Sequence, residues 1–323
     1  MTMTPEFNLI KQYFTAPTRH TILGIGDDAA LISMGADMQL AISSDMLVAG
    51  THFFADAAPY DIGWKALAVN VSDMAAMGAR AKWATLAIAL PEINEAWLSE
   101  FSRGFFACAD AFNVDLIGGD TTRGPLNISV TIMGEVPIGE ALRRDGAQAG
   151  DDIWVSGQFG SAALGLAHLQ NKIVLQNELA ICLNALNTPT PRAALGLALR
   201  DIATSCIDIS DGLLADLGHI LKASSCGARI DLEKIPCIEL LKNNLDNPQF
   251  QAAILAGGDD YELCFTAPKS KYVDINALSK QLNLPIACIG STRMASSLNT
   301  GGLQVDYKNN QITLLKQGFD HFA

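Results

Sequence analysis

The sequence predicts two α+β domains in succession, and three observations carry that expectation. Short apolar, strand-like runs alternate with helix-period segments through the first half of the chain. The alternation breaks across Pro137–Gly150, a stretch rich in Gly, Ala and charge, and restarts at Ile153–Val155. With 323 residues, 49% of them hydrophobic and 17% charged, the chain has the length for two domains and the apolar material for real cores.

Element by element, Leu40–Ser43 and Trp83–Leu90 are strand candidates. Ile62–Met77 between them reads as a helix stopped by Gly78, and Asn94–Phe112 as a second helix ended by Asn113. Asn127–Val136 alternates as a strand with one face on a core. After the break, Ile153–Val155 is a strand, and Thr190-Pro191 supplies a cap and a first-turn proline for a helix. Ser210–Ala223 is a further helix, and Tyr261–Phe265 and Ile286–Ile289 are strands. The domains are expected to be 1–138 and 139–323.

Bulk chemistry narrows the function. No apolar run is long enough to span a bilayer, so no membrane role is expected, and Met1–Phe14 lacks a secretory core. Seven cysteines, none in a C-x-x-C pair, argue against a disulfide framework or zinc and point to a reduced, cytoplasmic protein. A formal charge of −12 argues against nucleic acid as partner.

Where the acids sit is more telling. Six segments share one grammar, an apolar stretch, then Gly or Ser, then aspartate: Gly24–Asp28, Ser43–Asp45, Asn70–Asp73, Gly118–Thr121, Asp208–Gly212 and Gly257–Asp260. One alone is an ordinary turn or cap, and Ser210 could simply cap its helix. Six together suggest hard metal ions. Asp73 is placed within a helix among Ala, Val and Met, where a buried carboxylate needs a cation; the alternatives are a salt bridge to Lys65 or Arg80, or a metal such as Mg²⁺. Mg²⁺ works with substrate phosphates, so the acids point to a nucleotide site. No P-loop or protein-kinase signature is present. Gly24–Ala29 matches G-x-G-x-x-A, but its two aspartates would repel a pyrophosphate lacking metal. Arg143-Arg144, at the inferred junction, offer cations to phosphate, and Phe319 in Gly318–Phe322 offers a ring to a flat substrate.

Taken in order, Gly24–Ala30, Ser43–Phe53, Asn70–Gly78, Gly118–Gly124, Arg144–Asp151, Asp208–Leu213 and Gly257–Leu263 resemble the motif series of the thiamine-monophosphate kinase family, within the aminoimidazole ribonucleotide synthetase-like superfamily. The resemblance covers the chain from about residue 20 to the tail. It implies the superfamily's two-domain α+β fold, with mixed sheets flanked by helices. The N-terminal domain would bind ATP and Mg²⁺ and form a homodimer, and the C-terminal domain would complete the cleft. By resemblance, Asp28, Ser43, Ser44, Asp45, Asp73, Asp120, Asp208 and Asp211 match metal ligands. Gly119, Asp120, Arg144 and Ser210 match ATP contacts, and His52, Asp259 and Phe319 match thiamine-phosphate contacts. This chain has Ala49, Asp259 and Phe319 where the family commonly has Glu, Glu and Trp. Within the superfamily, no Cys precedes Cys108 as selenophosphate synthetases require, and the last residue is Ala323 rather than the cysteine of the hydrogenase-maturation member. The His52 loop and the tail favour the kinase over aminoimidazole ribonucleotide synthetase.

The expected reaction is Mg²⁺-dependent, in-line transfer of the ATP γ-phosphoryl group to thiamine monophosphate. No general base is expected, because the acceptor phosphate, with a second pKa of roughly 6, is already mostly deprotonated at neutral pH. Several Mg²⁺ ions on Asp45, Asp73, Asp120 and their neighbours would carry the catalysis. The alternatives are a silent nucleotide- or metal-binding protein of the same fold, an ATPase acting on another small phosphorylated metabolite, or a structural protein with an acidic surface.

Overall fold

A computed structural model of the chain describes residues 8–295, 302–312 and 318–319. Its contacts divide into two units, 1–74 with 79–139, and 75–78 with 140–323.

In the first unit a short antiparallel hairpin, β1 (Thr21–Leu23) and β2 (Leu31–Ile32), precedes a four-stranded mixed sheet. The sheet contains β3 (Met38–Val48), β4 (Arg80–Leu90), β5 (Asp115–Arg123) and β6 (Asn127–Pro137) in the order β3-β6-β4-β5. Only β4 and β5 run parallel, and that pairing needs a crossover, which helix α2 (Glu95–Phe112) provides. Helix α1 (Pro59–Ala76) links β3 to β4.

The helix signals have physical counterparts. Asn94 Oδ1 accepts the Trp97 N–H at 3.0 Å, and Asn113 closes α2 in the left-handed region at φ 58°. Gly78 turns the chain after α1 at φ 61°. The helix starts three residues earlier than expected, on Pro59, whose missing N–H costs nothing in a first turn. A side-chain carbon at Gly63 or Gly104 would overlap the main chain of Phe101 or Tyr60, so the two glycines let α1 and α2 pack backbone to backbone.

The second unit is built on a seven-stranded sheet. Its strands are β7 (Asp152–Ser156), β8 (Ser205–Asp208), β9 (Cys226–Asp231), β10 (Leu263–Ala267), β11 (Ile286–Met294), β12 (Leu303–Tyr307) and β13 (Asn310–Ile312). The order is β13-β12-β9-β11-β7-β10-β8, with only β12 and β9 parallel. The flanking helices are α3 (Ser161–Leu169), α4 (Leu179–Asn187), α5 (Ala193–Ala198), α6 (Leu213–Ala223), α7 (Pro248–Ala256) and α8 (Tyr272–Gln281). Alternate residues of the central strands feed two apolar layers. Ile153, Val155, Ile207 and Cys264 join one, and Trp154, Cys206, Leu263 and Phe265 join the other. Two mixed sheets flanked by helices make this an α+β fold, as the sequence led us to expect.

Boundaries in the second unit also differ from expectation. Helix α5 starts at Ala193, not at Thr190-Pro191, because Arg192 leaves helical geometry and pairs with Glu262. Helix α6 starts at Leu213, and Ser210 does not cap it. Tyr261 precedes β10 in a turn at φ 48° rather than lying in the strand.

Candidate active site

In the first unit, β3 and α1 bring three of the expected residues together. Strand alternation turns Ser43 and Asp45 toward α1 and Ser44 to the opposite face. Ser43 Oγ donates to Asp73 Oδ2 at 2.5 Å, and the Asp45 N–H donates to Asn70 Oδ1 at 3.2 Å. Asn70 is fully buried, and its Nδ2 donates to the Ala66 carbonyl at 3.0 Å, so one side chain ties helix and strand at Asp45. Asp73 itself is half-buried rather than buried, because its end of the helix face meets a serine hydroxyl instead of an apolar wall. Ser44 departs from the expected set: its hydroxyl donates to the Val130 carbonyl and pairs with Thr131, away from Asp45. Only its main chain remains on offer beside Ser43 and Asp45.

The Val48 N–H donates to His52 Nδ1 at 3.0 Å, so the neutral ring carries its proton on Nε2, a donor suited to a phosphate oxygen. Asp28 is exposed on the Gly24–Ala30 loop that closes the β1–β2 hairpin; no helix follows those glycines. Asp120 is exposed on β5, paired with Ala87. Gly119 beside it sits opposite Leu86 at φ 145°.

In the second unit, main-chain hydrogen bonds gather three distant segments. Asp208 ends β8 and is buried. The Asp259 N–H donates to Ser210 O at 2.9 Å, the Tyr261 N–H to Ile209 O at 2.8 Å, and the Phe319 N–H to Asp211 O at 3.0 Å. Ser210, Asp211, Asp259 and Phe319, four of the six expected ATP, metal and substrate contacts of this unit, therefore lie along one seam. The remaining tail residues, Asp320–Phe322, fall outside the described residues. Tyr261 Oη donates to Asp259 Oδ1 at 3.1 Å, and both residues hold positive φ, at 48° and 66°. Arg144 is exposed; its carbonyl accepts from Ser224 Oγ at 2.8 Å, while the neighbouring Arg143 is paired with Asp145.

Near this seam lie Asp216 and Glu262, which sequence reasoning missed, and Asp260, which it noted only as the end of the Gly257–Asp260 segment. Asp216, in the first turn of α6, accepts the N–H groups of Ser210, Asp211 and Gly212 on a single oxygen, at 3.1, 3.0 and 3.1 Å. Burial pushes its carboxyl up to about 6, with the Asp211 charge adding and the three N–H donors opposing. Asp260 Oδ1 accepts the Gly160 N–H at 3.0 Å, whereas its buried Oδ2 meets no partner among the described residues. Burial raises that carboxyl well above the usual range. Glu262 is buried and accepts both the Arg192 guanidinium and Ser156 Oγ, the latter at 2.6 Å. The readable signal for Asp216 is the spacing Ser210-Asp211-Gly212…Asp216, which puts an acid one turn past a glycine turn. Asp260 and Glu262 flank Tyr261 in a motif already noted for Asp259.

Among the described residues, no three His, Cys, Asp or Glu side chains converge to hold a metal by themselves. Each cluster offers carboxylates beside hydroxyl and main-chain oxygens. That donor set fits Mg²⁺, which keeps waters and shares its coordination with substrate phosphates.

The family model for the AIR synthase related protein N-terminal domain matches residues 26–136, and that for the corresponding C-terminal domain matches 148–293. The thiamine-monophosphate kinase of Salmonella typhimurium (strain LT2) is 46% identical, with 98% of each chain covered. The chain belongs to the thiamine-monophosphate kinase family. Among solved structures of the family, that of the thiamine-monophosphate kinase from Stenotrophomonas maltophilia K279a superposes with a TM-score of 0.83. It is 47% identical over 89% of this chain and 91% of that one. AaThiL complexed with AMPPCP and TMP superposes with a TM-score of 0.76 at 29% identity, covering 98% of this chain and 96% of that one.

Proposed function

We propose that the chain phosphorylates thiamine monophosphate to thiamine diphosphate at the expense of ATP, by direct in-line transfer that depends on Mg²⁺. The observation that carries this is the seam in the second unit, where Ser210, Asp211, Asp259 and Phe319 are joined by main-chain hydrogen bonds. Nucleotide-type and substrate-type residues of the family motifs thus meet in one place. Family membership and the relative bound to AMPPCP and TMP support the same pair of substrates.

On this reading Asp28, Ser43, Asp45, Asp73, Asp120, the Ser44 main chain, Asp208 and Asp211 are ligands for Mg²⁺, and Gly119 and Asp120 also contact the nucleotide. Bound Mg²⁺ would neutralise phosphate charge. The protein's own contribution is orientation. Ser43 fixes the Asp73 carboxylate, Asn70 fixes the Asp45 main chain, and Tyr261 fixes Asp259. His52 Nε2–H and the Arg144 guanidinium are donors for phosphate oxygens, and the Phe319 ring is a stacking surface. No general base is needed for an acceptor that is already an anion.

A homodimer formed through the first unit is supported by the outer face of β3, where Leu40, Ile42 and Met46 are 36%, 60% and 54% exposed. A reducing, cytoplasmic setting is supported by seven unpaired cysteines. Among the described residues no helix is long and apolar enough to cross a membrane.

The test is ADP release from ATP with thiamine monophosphate, with and without Mg²⁺, with thiamine diphosphate detected directly. Mg²⁺-dependent diphosphate formation is expected, and Asp73→Asn should lower the rate by at least about a hundredfold, the upper end for groups that only orient a metal's ligands. ATP binding without product would favour a different phosphorylated acceptor, the reading to which Asp259, one methylene shorter than the common glutamate, gives weight. Wild-type turnover in Asp73→Asn would remove the metal role.

A further inference from the structure

We propose that Asp216 is a positioning residue that sets the Ser210–Gly212 turn and, through it, aims Asp211 and Ser210 at the metal-bound nucleotide. The inference deepens the kinase reading and rests on it for the roles of Asp211 and Ser210.

Three consecutive N–H groups that converge ahead of a helix form an anion-binding concavity of the kind that elsewhere cradles phosphate. Here the chain fills that concavity with its own side chain. A single carboxylate oxygen accepts all three donors within 3.1 Å. Asp216 is 3% exposed and belongs to the first turn of α6, whose other first-turn residues Leu213 and Leu214 are packed in the core. The acceptor is therefore anchored on a rigid element, and the turn hangs from it.

The consequence reaches three segments. With their N–H groups drawn inward, Ser210 and Asp211 present their carbonyls outward, and these accept from Asp259 and Phe319. Gly212 holds φ 127°, a conformation that lets the chain pass from the turn into α6. One buried carboxylate thus fixes the metal-type residue directly and the two substrate-type residues through the carbonyls it turns out. All three contacts are with main-chain N–H groups, so Asp216 acts through the turn and not on substrate or metal directly.

The experiment uses the full chain as wild type, Asp216→Asn and Asp216→Glu. Asn keeps the shape and loses the charge; Glu keeps the charge and displaces it by a methylene. Binding of a non-hydrolysable ATP analogue is measured by calorimetry across a Mg²⁺ titration, alongside the Mg²⁺ dependence of ADP release. Both variants should need at least about tenfold more Mg²⁺ for half-saturation, the range for groups that orient metal ligands, and excess Mg²⁺ should restore most of the rate. A structural defect would lower rate and melting temperature together without moving the Mg²⁺ requirement, and that outcome overturns the proposal. Amide exchange in the wild-type chain decides the case if a variant does not fold. The Ser210, Asp211 and Gly212 amides should exchange as slowly as those of α6 without ligand; fast exchange there also overturns it. A wild type that binds Mg²⁺ and the ATP analogue but makes no thiamine diphosphate refutes thiamine monophosphate as the acceptor, while the Mg²⁺ shift still judges Asp216.

Discussion

Replacing Gly119 by alanine should damage both stability and turnover, and the sizes follow from the β4–β5 pairing. Gly119 faces Leu86 across the parallel ladder at φ 145°. A β-carbon there would lie 2.5 Å from the Leu86 carbonyl carbon and 2.8 Å from its nitrogen, and closer still to its oxygen. Carbon–carbon contact needs roughly 3.5 Å, so the strands must part by about 1 Å. The forbidden φ costs about 1–3 kcal/mol, and weakening the flanking ladder bonds costs about 1 kcal/mol each. A loss of roughly 3–5 kcal/mol corresponds to a fall in melting temperature on the order of 10 °C. Asp120 is the next residue on the displaced strand, and a misplacement of about 1 Å at a site can cost roughly a hundredfold in rate. Gly139→Ala is the control, since φ 84° is equally left-handed but nothing lies within 4 Å of the added carbon. It should cost about 1 kcal/mol and leave the rate untouched. Melting curves and ADP release for the two variants make the comparison. If Gly119→Ala melts within about 2 °C of Gly139→Ala, the ladder does not confine the site as argued.

Three further outcomes are expected. Arg192→Ala leaves the buried Glu262 carboxylate with Ser156 as its partner among the described residues and should destabilise the second unit by about 3–5 kcal/mol in denaturant unfolding, with Arg192→Lys recovering only part because the fork is bidentate. Asp216 is raised to about 6 from 3.8, so its contribution to stability is fully present below about pH 4 and is lost as pH rises through about 6. The unfolding free energy of Asp216→Asn relative to wild type should accordingly improve between pH 4.5 and pH 7.5, by roughly 3 kcal/mol at most, and a pH-independent difference would refute the burial argument. Phe319→Ala should raise the KM for thiamine monophosphate by up to about tenfold, from the worth of one aromatic contact, with ATP binding unchanged; an unaltered KM removes the ring from the substrate site.

Where local chemistry decides an element, the sequence made it legible. Asn94 and Asn113 bound α2, and Gly78 follows α1, because caps and left-handed stops are set by the residue itself. Strands such as Ser205–Asp208 gave no signal, because all four residues are buried and a sheet covered on both faces shows no alternation. Thr190-Pro191 failed as a helix start because a distant partner, Glu262, captures Arg192. The candidate site was legible as a set of motifs, and the structure gathers Ser43, Asp45 and Asp73 in one unit and Ser210, Asp211, Asp259 and Phe319 in the other. Ser44 shows the limit of motif matching, since neighbouring residues of one strand point opposite ways. Asp216 went unseen because an acid in a first helical turn is ordinary, and only the fold shows what it holds.

The alternation along β3 has a consequence for how this strand can change. Odd-numbered positions 41, 43, 45 and 47 turn inward, and even-numbered positions 40, 42, 44 and 46 are exposed. Substitutions at even positions alter the outer surface without touching Ser43 or Asp45, so each face answers to its own constraint. An inserted or deleted residue has no such freedom. It would exchange the two sets at a stroke, setting Ile42 or Met46 against α1 and turning the carboxylate of Asp45 to the outside. Replacement at the even positions therefore leaves Ser43 and Asp45 in place, whereas any change in length displaces both.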